Sequence, residues 1–144
     1  TKKVIQKVKP DALFHLASNA NVRDSFDNPI KFADNNNSIT LNILESIRKL
    51  KLKTLVMICS TSEVYGAVTK KDIPISESQK INPVNPYAAT KAFQDIISQI
   101  YFKCYKLNIV ITRMFSYTNA RRMNLFQTSF ASQIAKIESK KKNS

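Results

Sequence analysis

Three short apolar runs alternate with long stretches of helical periodicity, and that alternation leaves the chain few folds to choose from. Residues 12–17 read ALFHLA, residues 55–59 are the apolar centre of KTLVMICS, and residues 108–115 read NIVITRMF. Each run is brief and continuously apolar, as strands buried on both faces are. Between the first two, Ile39, Ile43, Leu44 and Ile47 recur at three and four residues, which predicts a helix over 29–50. A second long helix is predicted over 87–107, with Pro86 at its entrance, where the missing N–H has no helical partner to lose. Residues 4–8 predict the end of a helix stopped by Pro10, and residues 125–140 a last amphipathic helix. The stretch SNANVRDSFDNP (18–29) reads as polar and turn-rich. Residues 67–86, with Pro74, Pro83 and Pro86, read as a loop, as does SYTNARRMN (116–124). Strands alternating with long helices predict an α/β chain whose parallel sheet is covered by helices on both faces. Its crossovers should be right-handed.

At 144 residues the chain fits one domain, without repeats or an internal boundary. It contains no apolar run long enough to span a membrane, and TKKVIQKVKP at its start lacks the apolar core of a secretory signal. Cys59 and Cys104 are isolated, with no metal-like spacing, and are expected to be reduced, half-buried thiols of a cytoplasmic protein. The formal net charge is +13. Its lysines are scattered (Lys49, Lys51 and Lys53; Lys70 and Lys71; Lys140 to Lys142) and read as solvated surface rather than as a nucleic-acid face. His15, the only histidine, falls within a strand run and reads as a packed residue. No metal site is expected.

In an open parallel sheet, ligands bind beyond the C-terminal strand ends. Three polar segments fall there: 18–25, 60–66 and 116–122. ICSTSEVYG (58–66) ends an apolar strand in hydroxyls and an acid. Downstream, NPYAATKAF (85–93) sets Tyr87 and Lys91 four residues apart at a helix start, on one face. A nearby ammonium favours phenolate over phenol, which suits a tyrosine for proton transfer near neutrality. Thr61 is placed to orient a substrate oxygen and Glu63 to remove a second proton. Alone, a tyrosine and a lysine at this spacing are as compatible with a surface aromatic beside a solvated lysine.

STSEVYG followed by NPVNPYAATKA resembles the extended short-chain dehydrogenase/reductase family, the nucleotide-sugar epimerases and dehydratases. HLASNANVRDSFDNP, NNNSITLNILESIRK and TRMFSYTNARR resemble further segments of that family in the same order, so the likeness covers nearly the whole chain. Within it, Glu63 and the pair Arg121 and Arg122 are most similar to the GDP-mannose 4,6-dehydratases. The resemblance implies a Rossmann-like doubly wound sheet that is partial here: residues 1–144 would be the central, catalytic part of a single NAD(P)-binding domain. The first βαβ unit would lie before residue 1 and the C-terminal substrate part after residue 144.

The resemblance also implies a mechanism. Tyr87, assisted by Lys91, deprotonates the sugar 4-hydroxyl as hydride leaves C4 for NAD or NADP. Glu63 then takes the C5 proton, water leaves C6, and hydride returns to C6. Thr61 orients the 4-oxygen. Leu16, Ala17, Ser18, Asn19 and Ala20 would line the cofactor, with Tyr87, Lys91, Tyr117 and Arg122. The implied substrate is a nucleotide-diphosphate sugar, GDP-mannose favoured, and the implied assembly a homodimer or homotetramer built on the two long helices.

The sequence departs from the family in several places. Gly66 is its sole glycine, and it lies far from the glycine-rich turn that lets backbone approach a pyrophosphate. Ile39 stands where the family has a small glycine, Ser116 where asparagine is common, and Asn119-Ala120 before the arginines. A 4-epimerase or 4-keto-6-deoxy-sugar reductase on the same scaffold is the sister reading, and a non-catalytic basic binding module or relic the reading from another class. Without a pyrophosphate turn of their own, the isolated 144 residues should bind nicotinamide dinucleotides weakly and turn nothing over. Calorimetric titration of the isolated chain with NAD and NADP checks this, and tight binding would refute it.

Overall fold

The computed structural model describes residues 1–117, 121 and 126–142. Three strands, β1 (Ala12–His15), β2 (Leu55–Cys59) and β3 (Ile109–Thr112), form a parallel sheet in the order β1-β2-β3. Helix α1 (Lys2–Val8) precedes β1. Helices α2 (Val22–Asp27) and α3 (Pro29–Lys49) lie between β1 and β2, and α4 (Pro86–Tyr105) lies between β2 and β3. Helix α5 (Phe126–Lys142) follows the sheet.

The long helices fall where periodicity predicts them. Pro29 opens α3 and Pro86 opens α4, and α4 ends on Lys106 in the left-handed conformation. Helix α1 closes one residue before Pro10: Lys9 adopts φ 45° and donates its N–H to the Ile5 carbonyl at 2.8 Å. Helix α2 lies within the stretch read as polar and turn-rich. Asn21 caps it, accepting the Arg23 N–H at 3.1 Å and the Asp24 N–H at 3.5 Å. An asparagine cap with an acid in the first turn was the available signal, weaker than apolar periodicity. The strands are shorter than their apolar runs, because the chain leaves the ladder to form loops at the site: β1 stops at His15, and Leu16 and Ala17 lie beyond it.

Side chains alternate across a strand, so the sheet has two distinct faces. Val56 and Ile58, fully buried, join Leu13, Ile109 and Ile111 on the face that packs against Ile43, Leu44 and Ile47 of α3 and Tyr101 of α4. Phe14, Met57 and Val110 stand side by side on the other face. There Phe14, Leu55 and Val110 are exposed. Among the described residues the cover expected on both faces is thus present on one. Ile39 packs at the margin of the core. The cysteines are free. Cys59 is half-buried as expected, whereas Cys104 is exposed, since its position on α4 faces away from both sheet and α3. Among the described residues, no helix is long and apolar enough to cross a membrane.

Between β2 and α4 the chain makes a 3-10 turn (Ser62–Tyr65), a second one (Lys70–Asp72), and a long loop. Val64, Tyr65 and Ala92 form a small core beneath that loop with Val68, Ile75 and Ile81. Gly66 is needed at its corner twice over. Its φ of +66° with ψ of −143° is a region nearly reserved for glycine, and a Cβ would stand 1.9 Å from the Asn82 carbonyl oxygen. One residue pair away, the Asn82 N–H donates to the Val64 carbonyl at 2.8 Å, which laces the returning loop onto the turn. Gly66→Ala should therefore cost about 1–3 kcal/mol from backbone strain alone, with more from the displaced loop. Urea denaturation of the two proteins measures it.

Candidate active site

The loops at the C-terminal ends of the strands enclose a cleft of about 400 Å³. The ladder that aligns them continues past the strands: Ser60 N–H donates to the Thr112 carbonyl at 2.8 Å and Ser62 N–H to the Met114 carbonyl at 2.9 Å. Thr61, still extended, then caps the 3-10 turn by accepting the Glu63 N–H at 3.4 Å. An extended backbone turning sharply into a capped turn is what presents Thr61, Ser62 and Glu63 together on the cleft wall.

Tyr87 and Lys91 line the same cleft, both buried. Their spacing of one helical turn sets them on one face of α4. The first turn of that helix is fixed from two sides. Ser25 Oγ accepts the Tyr87 N–H at 3.2 Å, and Asn85 Oδ1 accepts the Ala88 N–H at 2.7 Å. Lys91 Nζ donates to the Cys59 carbonyl, where β2 ends. Burial lowers the Lys91 pKa from its ordinary value, and the field of Cys59 partly opposes that shift. The result is a buried lysine anchored at the strand end, on the same cleft as Tyr87.

Other expected positions are divided. Leu16, Ser18, Ala20 and Tyr117 line the cleft with Thr61, Glu63, Tyr87 and Lys91. Ala17 and Asn19 do not line it. Asn19 is held instead by Asn36, whose Oδ1 accepts its N–H at 2.7 Å and whose Nδ2 donates to its carbonyl at 3.1 Å. Arg122 lies outside the described residues. Sequence reasoning missed Asn36, which is fully buried and also donates to Thr90 Oγ1 at 2.9 Å. It also missed Asn85, although an asparagine directly before Pro86 is a helix-cap signal. Ser60, one of the hydroxyls that end the strand, has no role in the sequence reading. Its Oγ is buried on the cleft wall and has no hydrogen-bond partner among the described residues.

His15 packs inside the fold rather than in the cleft. Its Nε2 lies 2.8 Å from Thr40 Oγ1, and that hydroxyl donates to the Asn36 carbonyl at 3.1 Å. The network therefore assigns the proton to Nε2, leaving Nδ1 of a neutral ring buried and without a partner among the described residues. Burial, reinforced by the Lys91 charge, lowers its pKa from 6.5 to about 4. On the described residues no cluster of His, Cys, Asp and Glu is suited to a metal ion.

The polar cleft suits the nicotinamide half of a dinucleotide. Lys91, Ser60 and Leu16, Ser18 and Ala20 of the loop after β1 all line it. The pyrophosphate half finds no glycine turn among residues 1–144. A parallel sheet with a tyrosine and a lysine one helical turn apart beside its strand ends is the arrangement of the extended short-chain dehydrogenases/reductases. A sequence model of the GDP-mannose 4,6 dehydratase family matches residues 1–144. A dTDP-D-glucose 4,6-dehydratase of Dictyostelium discoideum is 39% identical over 119 residues, 76% of this chain and 27% of that protein. The solved structure of RMD from Pseudomonas aeruginosa complexed with NADPH superposes with a TM-score of 0.85 at 27% identity, over 90% of this chain and 45% of that one. UDP-glucose 4-epimerase from Brucella ovis in complex with NAD gives a TM-score of 0.74 at 30% identity, over 80% and 34%. The chain belongs to the GDP-mannose 4,6 dehydratase family, and it spans less than half the length of these relatives.

His15 makes the stability of the fold depend on pH on the acid side. Between pH 6.5 and about 4 the unfolded chain binds a proton at this residue that the folded chain does not. Stability present above pH 6.5 is therefore lost as the pH falls toward 4. His15→Gln keeps a donor toward Thr40 and removes the titration, so it should lose less stability than the parent over that interval, read from urea midpoints at the two ends.

Proposed function

We propose that these residues form the catalytic part of an NAD(P)-dependent nucleotide-sugar 4,6-dehydratase, with GDP-mannose the favoured substrate. The observation that carries this reading is Glu63. A carboxylate on the same cleft as Tyr87 and Lys91 gives two proton-transfer groups to one substrate. Oxidation at C4 needs one base; elimination across C5 and C6 needs a second at a neighbouring carbon.

When bound, the nicotinamide supplies the acceptor for the C4 hydride and later its donor to C6. The chain's own residues do the rest. Tyr87 takes the proton of the 4-hydroxyl, and Lys91, with its ammonium fixed by the Cys59 carbonyl, favours the tyrosinate by charge. Thr61 accepts the Glu63 N–H and keeps its own hydroxyl proton to donate to the 4-oxygen. Once C4 is a ketone, the C5 proton is acidic; Glu63 removes it as the C6 hydroxyl leaves, the proton Tyr87 took from the 4-hydroxyl accounts for the water released, and Glu63 returns its proton to C5 when C6 is reduced. Leu16, Ser18, Ala20 and Tyr117 would hold the nicotinamide end, and Ala17, Asn19 and Arg122 would meet the cofactor beyond this cleft. The complete protein would be cytoplasmic and homodimeric or homotetrameric.

A 4-epimerase or 4-keto-6-deoxy-sugar reductase is the second reading, supported by the likeness to a UDP-glucose 4-epimerase. Product analysis on the complete protein separates them: a 4-keto-6-deoxy sugar, an isomer, or net consumption of NADPH. Glu63→Gln should reduce water loss by about 10²–10⁴-fold, the usual span for a general base, while C4 oxidation still registers as reduced-nicotinamide absorbance. Unchanged elimination in that variant would remove Glu63 from the mechanism.

A further inference from the structure

We propose that Asn85 is a positioning residue that fixes the Glu63 carboxylate relative to Tyr87, and that water elimination depends on it. The proposal rests on the dehydratase reading and adds a residue to it that is neither on the cleft wall nor in the Tyr-Lys pair.

The two ends of the Asn85 carboxamide are committed to different partners. Oδ1 accepts the Ala88 N–H at 2.7 Å and so caps α4, while Nδ2 donates to Glu63 Oε2 at 2.8 Å. The cap sets which way the amide faces, because a flip would turn N–H groups toward the Ala88 N–H and an oxygen toward the carboxylate. Asn85 is extended, with φ −145° and ψ 162°, and its carbonyl accepts the Ala89 N–H at 3.0 Å. The loop entering it is laced to the 3-10 turn through Asn82 and Val64. One side chain thus bridges the turn that carries Glu63 and the helix that carries Tyr87, two residues away.

Elimination makes a geometric demand that oxidation does not. The C5 base and the group on the 4-oxygen must hold adjacent ring positions at once, and a glutamate has three rotatable bonds with which to miss. A single charge-assisted hydrogen bond from a capped residue removes much of that freedom. It leaves the second carboxylate oxygen for the substrate. Tyr87 and Lys91 are held by other contacts, through Ser25 and Cys59, so C4 oxidation does not need this bond.

Asn85→Asp tests the idea in the complete protein with GDP-mannose. Aspartate matches asparagine as a helix cap and in shape, but it sets an oxygen against Glu63 where a donor stood. Asn85→Ser, which also caps, is the second variant should the first not fold. The expected result for both variants is a fall in the elimination kcat of about tenfold or more with KM and C4 oxidation little changed; Asn85→Asp, which sets two carboxylates together, should also lower the melting temperature, and Asn85→Ser should lower it less. In the Glu63→Gln background the same substitution should have no further effect on elimination, which an indirect loss of stability would not reproduce. Elimination at the parental rate in a folded Asn85 variant, or a full additional loss in the Glu63→Gln background, overturns the proposal. Failure of the parent protein to release any 4-keto-6-deoxy product identifies a failure of the dehydratase reading itself, and the proposal falls with it.

Discussion

The carboxamide of Asn36 is the joint on which the site's geometry hangs. It is fully buried, and every polar atom on it is used. Its oxygen takes the backbone N–H of Asn19 and an N–H of Asn35; its nitrogen gives to the Asn19 carbonyl and to Thr90 Oγ1. The loop after β1, helix α3 and helix α4 are thereby joined at one group. Leaving any of these buried atoms unpaired would cost about 1–3 kcal/mol each. The neighbours extend the joint: the Asn36 carbonyl accepts from Gln94 Nε2 and from Thr40, and Thr40 meets His15 on β1. The interface between the two long helices is therefore polar near the site and apolar further down, where Leu44 and Ile47 take over.

That polar seam continues along α4 and explains why the helix serves as both core and active-site wall. Asp95, fully buried, receives Arg113 in a two-point ion pair at 2.8 and 3.1 Å and also accepts from Gln99. Arg113 in turn donates to the Tyr65 hydroxyl and the Glu77 carbonyl, and its guanidinium lies 5.1 Å from the Tyr65 ring centre. The end of β3, the turn that carries Glu63 and the long loop are tied to α4 by one side chain. A buried pair of this kind adds little net stability over an apolar one, but removing either partner leaves a charge stranded at about 3–5 kcal/mol. Its value lies in fixing one arrangement of loops around the cleft.

Much of the fold is legible in the sequence alone. Helices α3 and α4 follow from apolar spacing and from Pro29 and Pro86. Tyr87 and Lys91 share a face because a helix puts residues four apart together. What was not legible had weak local signals. Helix α2 is held by an asparagine cap and by Ser25, which is buried against the Tyr87 backbone, and neither contact leaves an apolar period to read. Asn36 sits in a run of three asparagines that looks like solvated surface until α4 packs against it. Cys104 and Cys59 look alike as isolated cysteines, and only the direction in which each element faces separates them.

The sequence by itself determined the order of the strands and long helices, the family, and the placing of Tyr87 and Lys91 on one helix face, because periodicity and motif spacing are local properties of the chain. Only the tertiary structure decided that Asn36 joins the loop after β1 to helix α4, that His15 stays neutral, and that Asn85 reaches Glu63. Those outcomes depend on burial and on hydrogen bonds between residues far apart in the chain. A buried polar atom takes whichever partner the packing brings within reach, and no local pattern specifies that partner.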